Sequence, residues 1–296
     1  MYKDYWFSIA EFSIKLIFKK GGLNSLCLLP SFNPFKIERQ SEDSKLFELL
    51  IDDEVTPIMK SERIRIKTID TGNGNIIVDK TQLGYQFVIN DLKGNNCCLL
   101  ITNKEFTKCQ CALNGNYDMR SFGLNNAIMI IFAFASCKYN ALLVHASLVR
   151  KDGYGYAFIA KSGTGKSTQV SMWLRHIPDC DMMNDDNPII RIIDGKPWIF
   201  GSPWSGKTPC YRNVKAQLGA VTQIDRASVN SIEKLSPIDA LVNFIPACSS
   251  IKWDERIYDE IIRNITQVIE TTPFYMLHCL PNRESAVICN SAISRT

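Results

Sequence analysis

The apolar positions of the chain fall into two regimes. Up to about residue 117 they alternate with polar ones in short runs. Phe7, Ile9, Phe12, Ile14 and Leu16 mark the first, within 5–18, and others cover 45–51, 63–69, 75–79, 85–92 and 97–102. A period of two puts successive side chains on opposite faces of an extended chain. Between the runs stand Asn73-Gly74, Lys93-Gly94-Asn95-Asn96 and Asn114-Gly115-Asn116, residue types that accept left-handed turns. Short strands at close spacing predict an antiparallel sheet or sandwich. The proline-aromatic stretch 29–35 reads as a packed irregular segment.

Beyond residue 117 the pattern becomes mixed. A helix is predicted over 119–140, with Phe122, Leu124, Ile128, Ile131, Phe132 and Phe134 giving it a broad apolar surface and Lys138 near its end. Its most apolar run, 127–137, is too short to span a bilayer and reads as a buried helix. A strand over 141–150 turns at Lys151-Asp152-Gly153 into a second strand from Tyr154. A helix then runs to about His176, where Pro178 enforces a stop. A short strand over 180–184, a hairpin over 189–200 around Asp194-Gly195 and a strand over 218–224 follow. Next come a helix capped by Ser236 with Pro237 in its first turn, a helix over 253–270, a strand over 274–280 and a last helix over 284–293. The fold class expected is therefore α+β or α/β: a β-rich domain of unassigned role over 1–117, then an α/β domain over 118–296.

The totals narrow the function. The 296 residues are 46% apolar and 22% charged, the balance of a soluble globular protein. A net charge of +4 with no basic stripe interleaved with aromatics argues against a nucleic-acid partner. The N-terminus lacks the basic start, apolar core and small-residue cleavage site of a secretory signal, so a cytoplasmic location is expected. Eleven cysteines and three histidines occur, without C-x-x-C spacing, so reduced thiols are expected rather than zinc. Cys109 and Cys111 would share one strand face, so a redox pair is a minor alternative to reduced thiols there.

The stretch that carries chemistry is Ser162-Gly163-Thr164-Gly165-Lys166-Ser167-Thr168, between an apolar strand and a helix. That is the order a phosphate-cradling P-loop needs. Gly163 and Gly165 let successive N–H groups point at phosphate oxygens. Lys166 supplies a flexible charge for the β- and γ-phosphates, and Ser167 a hydroxyl for Mg²⁺. Ala160 stands where the motif usually has its first glycine. A second match, Gly201-Ser202-Pro203-Trp204-Ser205-Gly206-Lys207-Thr208, has no helix after it, and Pro203 offers no N–H, so it reads as a loop. Lys207 and Arg212 are its candidate phosphate-binding cations. Asp185 and Asp186 end the short strand after the P-loop helix, where a nucleotide enzyme places carboxylates for Mg²⁺ and for the attacking group.

Residues 118–296 resemble the catalytic domain of HPr kinase/phosphorylase and related proteins, whose nucleotide-binding core is shared with ATP-dependent phosphoenolpyruvate carboxykinase. Four segments carry the resemblance: Val144-His145-Ala146-Ser147, Ser162–Ser167, Asn184-Asp185-Asp186 and Gly201-Ser202-Pro203-Trp204. The resemblance implies Asp185 as the base for the attacking hydroxyl, Asp186 as a metal ligand and His145 beside the base, although exchanging the two aspartates fits the sequence equally well. The family's E-I-R-G segment has no counterpart here. The expected activity is transfer of the γ-phosphate of Mg²⁺-ATP to a hydroxyl of a protein, a peptide or a small molecule. Two rivals are a nucleotide-binding sensor or scaffold without catalysis and, ranked lower, a carboxykinase-like enzyme. No membrane partner is expected, and a homo-oligomer is compatible with the chain.

Overall fold

The computed structural model describes residues 2–19 and 22–295. Two large β-sheets and five α-helices among these residues make a mixed α/β architecture. The chain divides into two compact units, 1–136 and 137–296.

In the first unit nine strands form one sheet. They are β1 (Tyr2–Ile9), β2 (Phe12–Lys19), β3 (Lys36–Ile37), β4 (Lys45–Ile51), β5 (Arg63–Asp70), β6 (Asn75–Thr81), β7 (Gly84–Asn90), β8 (Asn96–Asn103) and β9 (Lys108–Leu113), in the order β3-β1-β2-β4-β9-β8-β7-β6-β5. From β9 to β5 every pairing is antiparallel. The pairs β2–β4 and β4–β9 are parallel, so the sheet is mixed where the strand pattern predicted antiparallel pairing throughout. The run over 5–18 is a hairpin whose turn falls on Ala10 and Glu11, at φ 48° and 66°.

Helix α1 (Tyr117–Ser136) packs on this sheet against β4, β7, β8 and β9. Leu124, Ala127, Ile128, Ile131 and Phe132 are fully buried. The stretch Tyr117–Tyr139 is long and apolar enough, by length and composition, to cross a bilayer. Within the protein 61% of its apolar window is buried, the behaviour of a core helix. The boundary expected from sequence, at 117/118, falls at the first turn of this helix, and the compact units meet at its end, 136/137.

The second unit holds β10 (Ala141–Leu143), β11 (Ala146–Lys151), β12 (Tyr154–Ile159), α2 (Lys166–His176), β13 (Cys180–Asn184), β14 (Ile189–Ile193), β15 (Lys196–Phe200), β16 (Lys215–Arg226), β17 (Ser231–Lys234), α3 (Pro237–Phe244), α4 (Glu255–Thr271), β18 (Phe274–Cys279) and α5 (Arg283–Ile293). Its sheet runs β10-β14-β15-β16-β12-β11-β13, with β18 on β16 and β17 on β18. Strands β12, β16 and β18 are parallel. The tight hairpins expected from sequence turn at Asp152-Gly153 (φ 51° and 80°) and Asp194-Gly195 (φ 50° and 72°), the left-handed pairs that such two-residue turns require. Tyr156, Phe158, Val170, Trp173, Ala220, Leu277, Ala286 and Cys289 form the core beneath α2 and α5. The caps Ser236, Asp254 and Asn282 each accept a backbone N–H at the start of α3, α4 and α5.

Candidate functional site

Strand register assembles the site. Ala146 at the start of β11 faces Ile159 at the end of β12, and Leu148 faces Asn184 at the end of β13. The start of β11 and the ends of β12 and β13 therefore share one edge of the sheet. His145 precedes β11, the glycine loop 160–165 leaves β12, and Asp185-Asp186 follow β13, so all three meet there. This is also the C-terminal end of the parallel β12–β16 pair, where open α/β sheets receive ligands.

The glycine loop turns sharply into α2. Gly163 and Gly165 have φ of +78° and +133°, values costly for any other residue. A Cβ added at Gly163 would meet nothing within 4 Å, so the loop is open at that residue. The Thr164 N–H closes a turn onto the Lys161 carbonyl at 3.2 Å. Ser162, Ser167 and Thr168 are exposed, whereas Lys166 is 8% exposed and lays its Nζ against the Ala160 carbonyl at 3.2 Å. Burial pushes the Lys166 ammonium below its ordinary value, and the charges of Asp186 and then Asp185 partly offset this. Lys166 and both carboxylates are thus electrostatic neighbours.

The two aspartates occupy different environments. Asp185 is 3% exposed and both its oxygens are taken: Ser147 Oγ donates to Oδ1 and the Thr208 N–H to Oδ2, each at 3.0 Å. Asp186 has a side chain that is 33% exposed. Its Oδ1 lies 3.2 Å from His145 Nε2, and its Oδ2 accepts from Asn187 Nδ2 at 2.6 Å. The backbone fixes the histidine, since its N–H donates to the Ala247 carbonyl at 2.7 Å while the next N–H, of Ala146, donates to the Asp186 carbonyl at 2.9 Å.

Beneath the carboxylates sits Asn184, fully buried. Its Oδ1 accepts the N–H groups of Asp186 (3.0 Å) and Asn187 (2.9 Å). Its Nδ2 donates to Ser202 Oγ (3.2 Å) and the Trp204 carbonyl (3.0 Å). One carboxamide thereby ties the aspartate turn to the segment 201–208, which curls over the carboxylates as a strap. Gly206 abuts the Asp185 carbonyl so closely that a Cβ there would stand 2.9 Å from it. The letters of this segment imitate a phosphate loop, but two of its backbone donors are committed inward, the Thr208 N–H to Asp185 and the Trp204 N–H to Ser202 Oγ, and Pro203 has none to offer. Lys207, between Gly206 and Thr208, is exposed beside the pair.

Arg212 stands apart from this constellation. Its Nη1 donates to Asp181 Oδ2 at 2.7 Å and to the Met182 carbonyl, and Arg150 grips the same aspartate with two bonds. Burial raises the Asp181 carboxyl, but the two arginines outweigh it and hold the group low. Arg212 is occupied as a clasp between β13 and the strap.

Sequence reasoning singled out neither Ser147 as a partner of Asp185, nor Asn184 as a hub, nor Arg226. The Arg226 guanidinium donates from Nε to the Thr164 carbonyl at 2.9 Å and from Nη2 to the Gly163 carbonyl. A lone arginine at the end of a distant strand carries no motif that would have flagged it. Among the described residues no group of three or more His, Cys, Asp or Glu side chains is placed to hold a metal ion.

No protein-family model matches the chain, and no curated protein matches it in sequence. Among solved structures, the HPr(Ser) kinase/phosphatase from Coxiella burnetii is a weak neighbour. It aligns over 50% of this chain and 91% of its own at 7% identity, with a TM-score of 0.30.

Proposed function

We propose that residues 137–296 bind a magnesium nucleoside triphosphate on the glycine loop and transfer its γ-phosphate to a hydroxyl, with Asp186 as the proton acceptor. One observation carries the reading: a glycine loop follows a parallel strand at the end of the sheet where Lys166, His145 and both aspartates converge. A loop of this shape suits phosphate oxygens, and the N-terminus of α2 adds partial positive charge. The residues present fit Mg²⁺-ATP. Ser167 is exposed at the start of α2, Asp186 is open to solvent, and magnesium takes few protein ligands because phosphates and waters complete its shell. Bound there, Mg²⁺-ATP would supply the phosphoryl group and the metal would neutralise charge on it.

The roles of this chain's residues follow from their surroundings. Lys166 leaves the Ala160 carbonyl to meet the phosphates and offsets their developing charge. Asp186, half-open and paired with an imidazole, can accept a proton from an incoming hydroxyl while His145 orients it. Asp185, with both oxygens bonded and no access to solvent, holds the strap rather than moving protons. This moves the base, which the sequence resemblance implied at Asp185, to Asp186 and leaves Asp185 a structural part. Lys207, exposed on the segment that bonds Asp185 through Thr208, would add a cation on the acceptor side. Arg212, committed to Asp181, stays out of the reaction.

Calorimetry with Mg²⁺-ATP, followed by transfer of radiolabelled γ-phosphate to fractions of a cell extract, tests the reading. Lys166→Ala is expected to abolish binding. Asp186→Asn is expected to keep binding, since Ser167, phosphates and waters still complete the magnesium shell, and to lose transfer by about 10²- to 10⁴-fold. No heat with wild type overturns the proposal. Binding with no labelled acceptor in any fraction favours the non-catalytic sensor.

A further inference from the structure

We propose that Arg226 is the positioning residue that holds the glycine loop in its phosphate-receiving shape. The proposal rests on the reading of that loop as a nucleotide cradle.

Arg226 is the last residue of β16, whose parallel neighbour β12 ends where the loop begins. Its guanidinium takes two successive carbonyls of the loop, Gly163 and Thr164. A trans peptide sets its C=O and N–H on opposite sides. Drawing these two carbonyls toward the guanidinium therefore turns the N–H groups of Thr164 and Gly165 away from it. The first closes the turn onto Lys161, and the second has no partner among the described residues. Such an outward donor, next to the N-terminus of α2, is what a phosphate oxygen requires.

The loop needs an outside hold. With Gly163 and Gly165 both at positive φ, it has little conformational preference of its own and loses more entropy on ordering than other sequences. Among the described residues, the other side-chain hold on its carbonyls is the Lys166 bond to Ala160, which breaks when the lysine turns to phosphate. Arg226 points at carbonyls rather than at the open side, so its bonds survive ligand binding. The planar fork matters as well as the charge, because it meets two successive carbonyls in one fixed geometry, whereas a lysine ammonium is a flexible point charge that does not set their spacing.

The full-length protein tests this in two measurements. The first is the Kd for Mg²⁺-ATP of wild type, Arg226→Lys and Arg226→Ala, the last also with millimolar guanidinium added. The second is hydrogen exchange of the 160–168 amides without nucleotide. Arg226→Ala is expected to weaken binding about tenfold to a hundredfold, with partial recovery on adding guanidinium, and to speed exchange within the loop. Arg226→Lys is expected to lie between the two. Unchanged loop exchange in Arg226→Ala overturns the brace, whatever the affinity does. So does binding weakened equally in both variants without rescue, which would assign the loss to other causes. Wild-type protein that binds no nucleotide defeats the nucleotide reading instead, and the exchange result then still reports on the clamp.

Discussion

Asn184 carries more of the site than either carboxylate beside it. Its carboxamide bonds the turn that presents Asp186 and, from the other end, the strap that bonds Asp185. A buried polar group so fully satisfied is costly to remove, because its partners are left unpaired away from water. Asn184→Ala is expected to destabilise the second unit by roughly 3 kcal/mol, read by urea unfolding, and to loosen both segments. Asp79 is the comparable residue of the first unit. It is buried between Arg63 and Arg65, and Gln86 donates to it at 3.2 Å. Asp79→Ala leaves the Arg63 guanidinium, 17% exposed, without its carboxylate, while the half-exposed Arg65 returns to water, and is expected to cost about 2 kcal/mol, again by urea titration.

At the scale of elements, the strap and the turns tell different stories. Gly206→Ala would push a Cβ to 2.9 Å from the Asp185 carbonyl, so the strap must shift. Because the strap is exposed at its tip, the expected result is a large loss of phosphate transfer with a change in urea midpoint that is small beside that of Asn184→Ala. Strands bounded by Asp-Gly turns were legible in the sequence, since only certain residues tolerate the left-handed pair at 152–153 and 194–195. The turn at Ala10-Glu11 was not, because neither residue advertises positive φ, and the run over 5–18 reads as one alternation. The parallel pairing of β4 with β2 and β9 was illegible for another reason: alternation records which face of a strand is buried and not which strand lies beside it. In the candidate site, the glycine loop, Asp185-Asp186 and His145 were legible as candidates by residue type and spacing. The different surroundings of the two aspartates were not, since Ser147 and Thr208 reach Asp185 only through the register of β11 and the course of the segment 201–208.

At the scale of the whole molecule, titrating groups bound a stability window. Lys15 and then Lys45 hold Glu42 down to about 2, against an ordinary 4.5. Asp79 and Asp181 are also held low, the opposing effect of burial being outweighed by their arginines. A carboxylate whose folded value is depressed adds stability above its unfolded value and loses it as pH falls through the folded one. The thiols act at the other end. Burial raises Cys137 to about 11 and Cys180 to about 12, and lifts Cys248 and Cys289 further, against an ordinary 9.0. A buried thiol stays neutral in the folded chain while the unfolded one ionises, so this part is complete below pH 9.0 and is lost as pH rises. Unfolding free energies measured across pH are expected to form a plateau between about pH 4.5 and 9 that declines on both sides. Flat stability down to pH 2 would contradict the ion pairs described.

The same thiols serve an experimenter in another way. Of the eleven, Cys27 is exposed and Cys180 partly so, and the other nine are buried. An alkylating reagent added to native protein should therefore consume one sulfur promptly, a second slowly and the rest only when the chain opens. Mass spectra of the adducts would count molecules that have opened, without a dye, a tag or an engineered label.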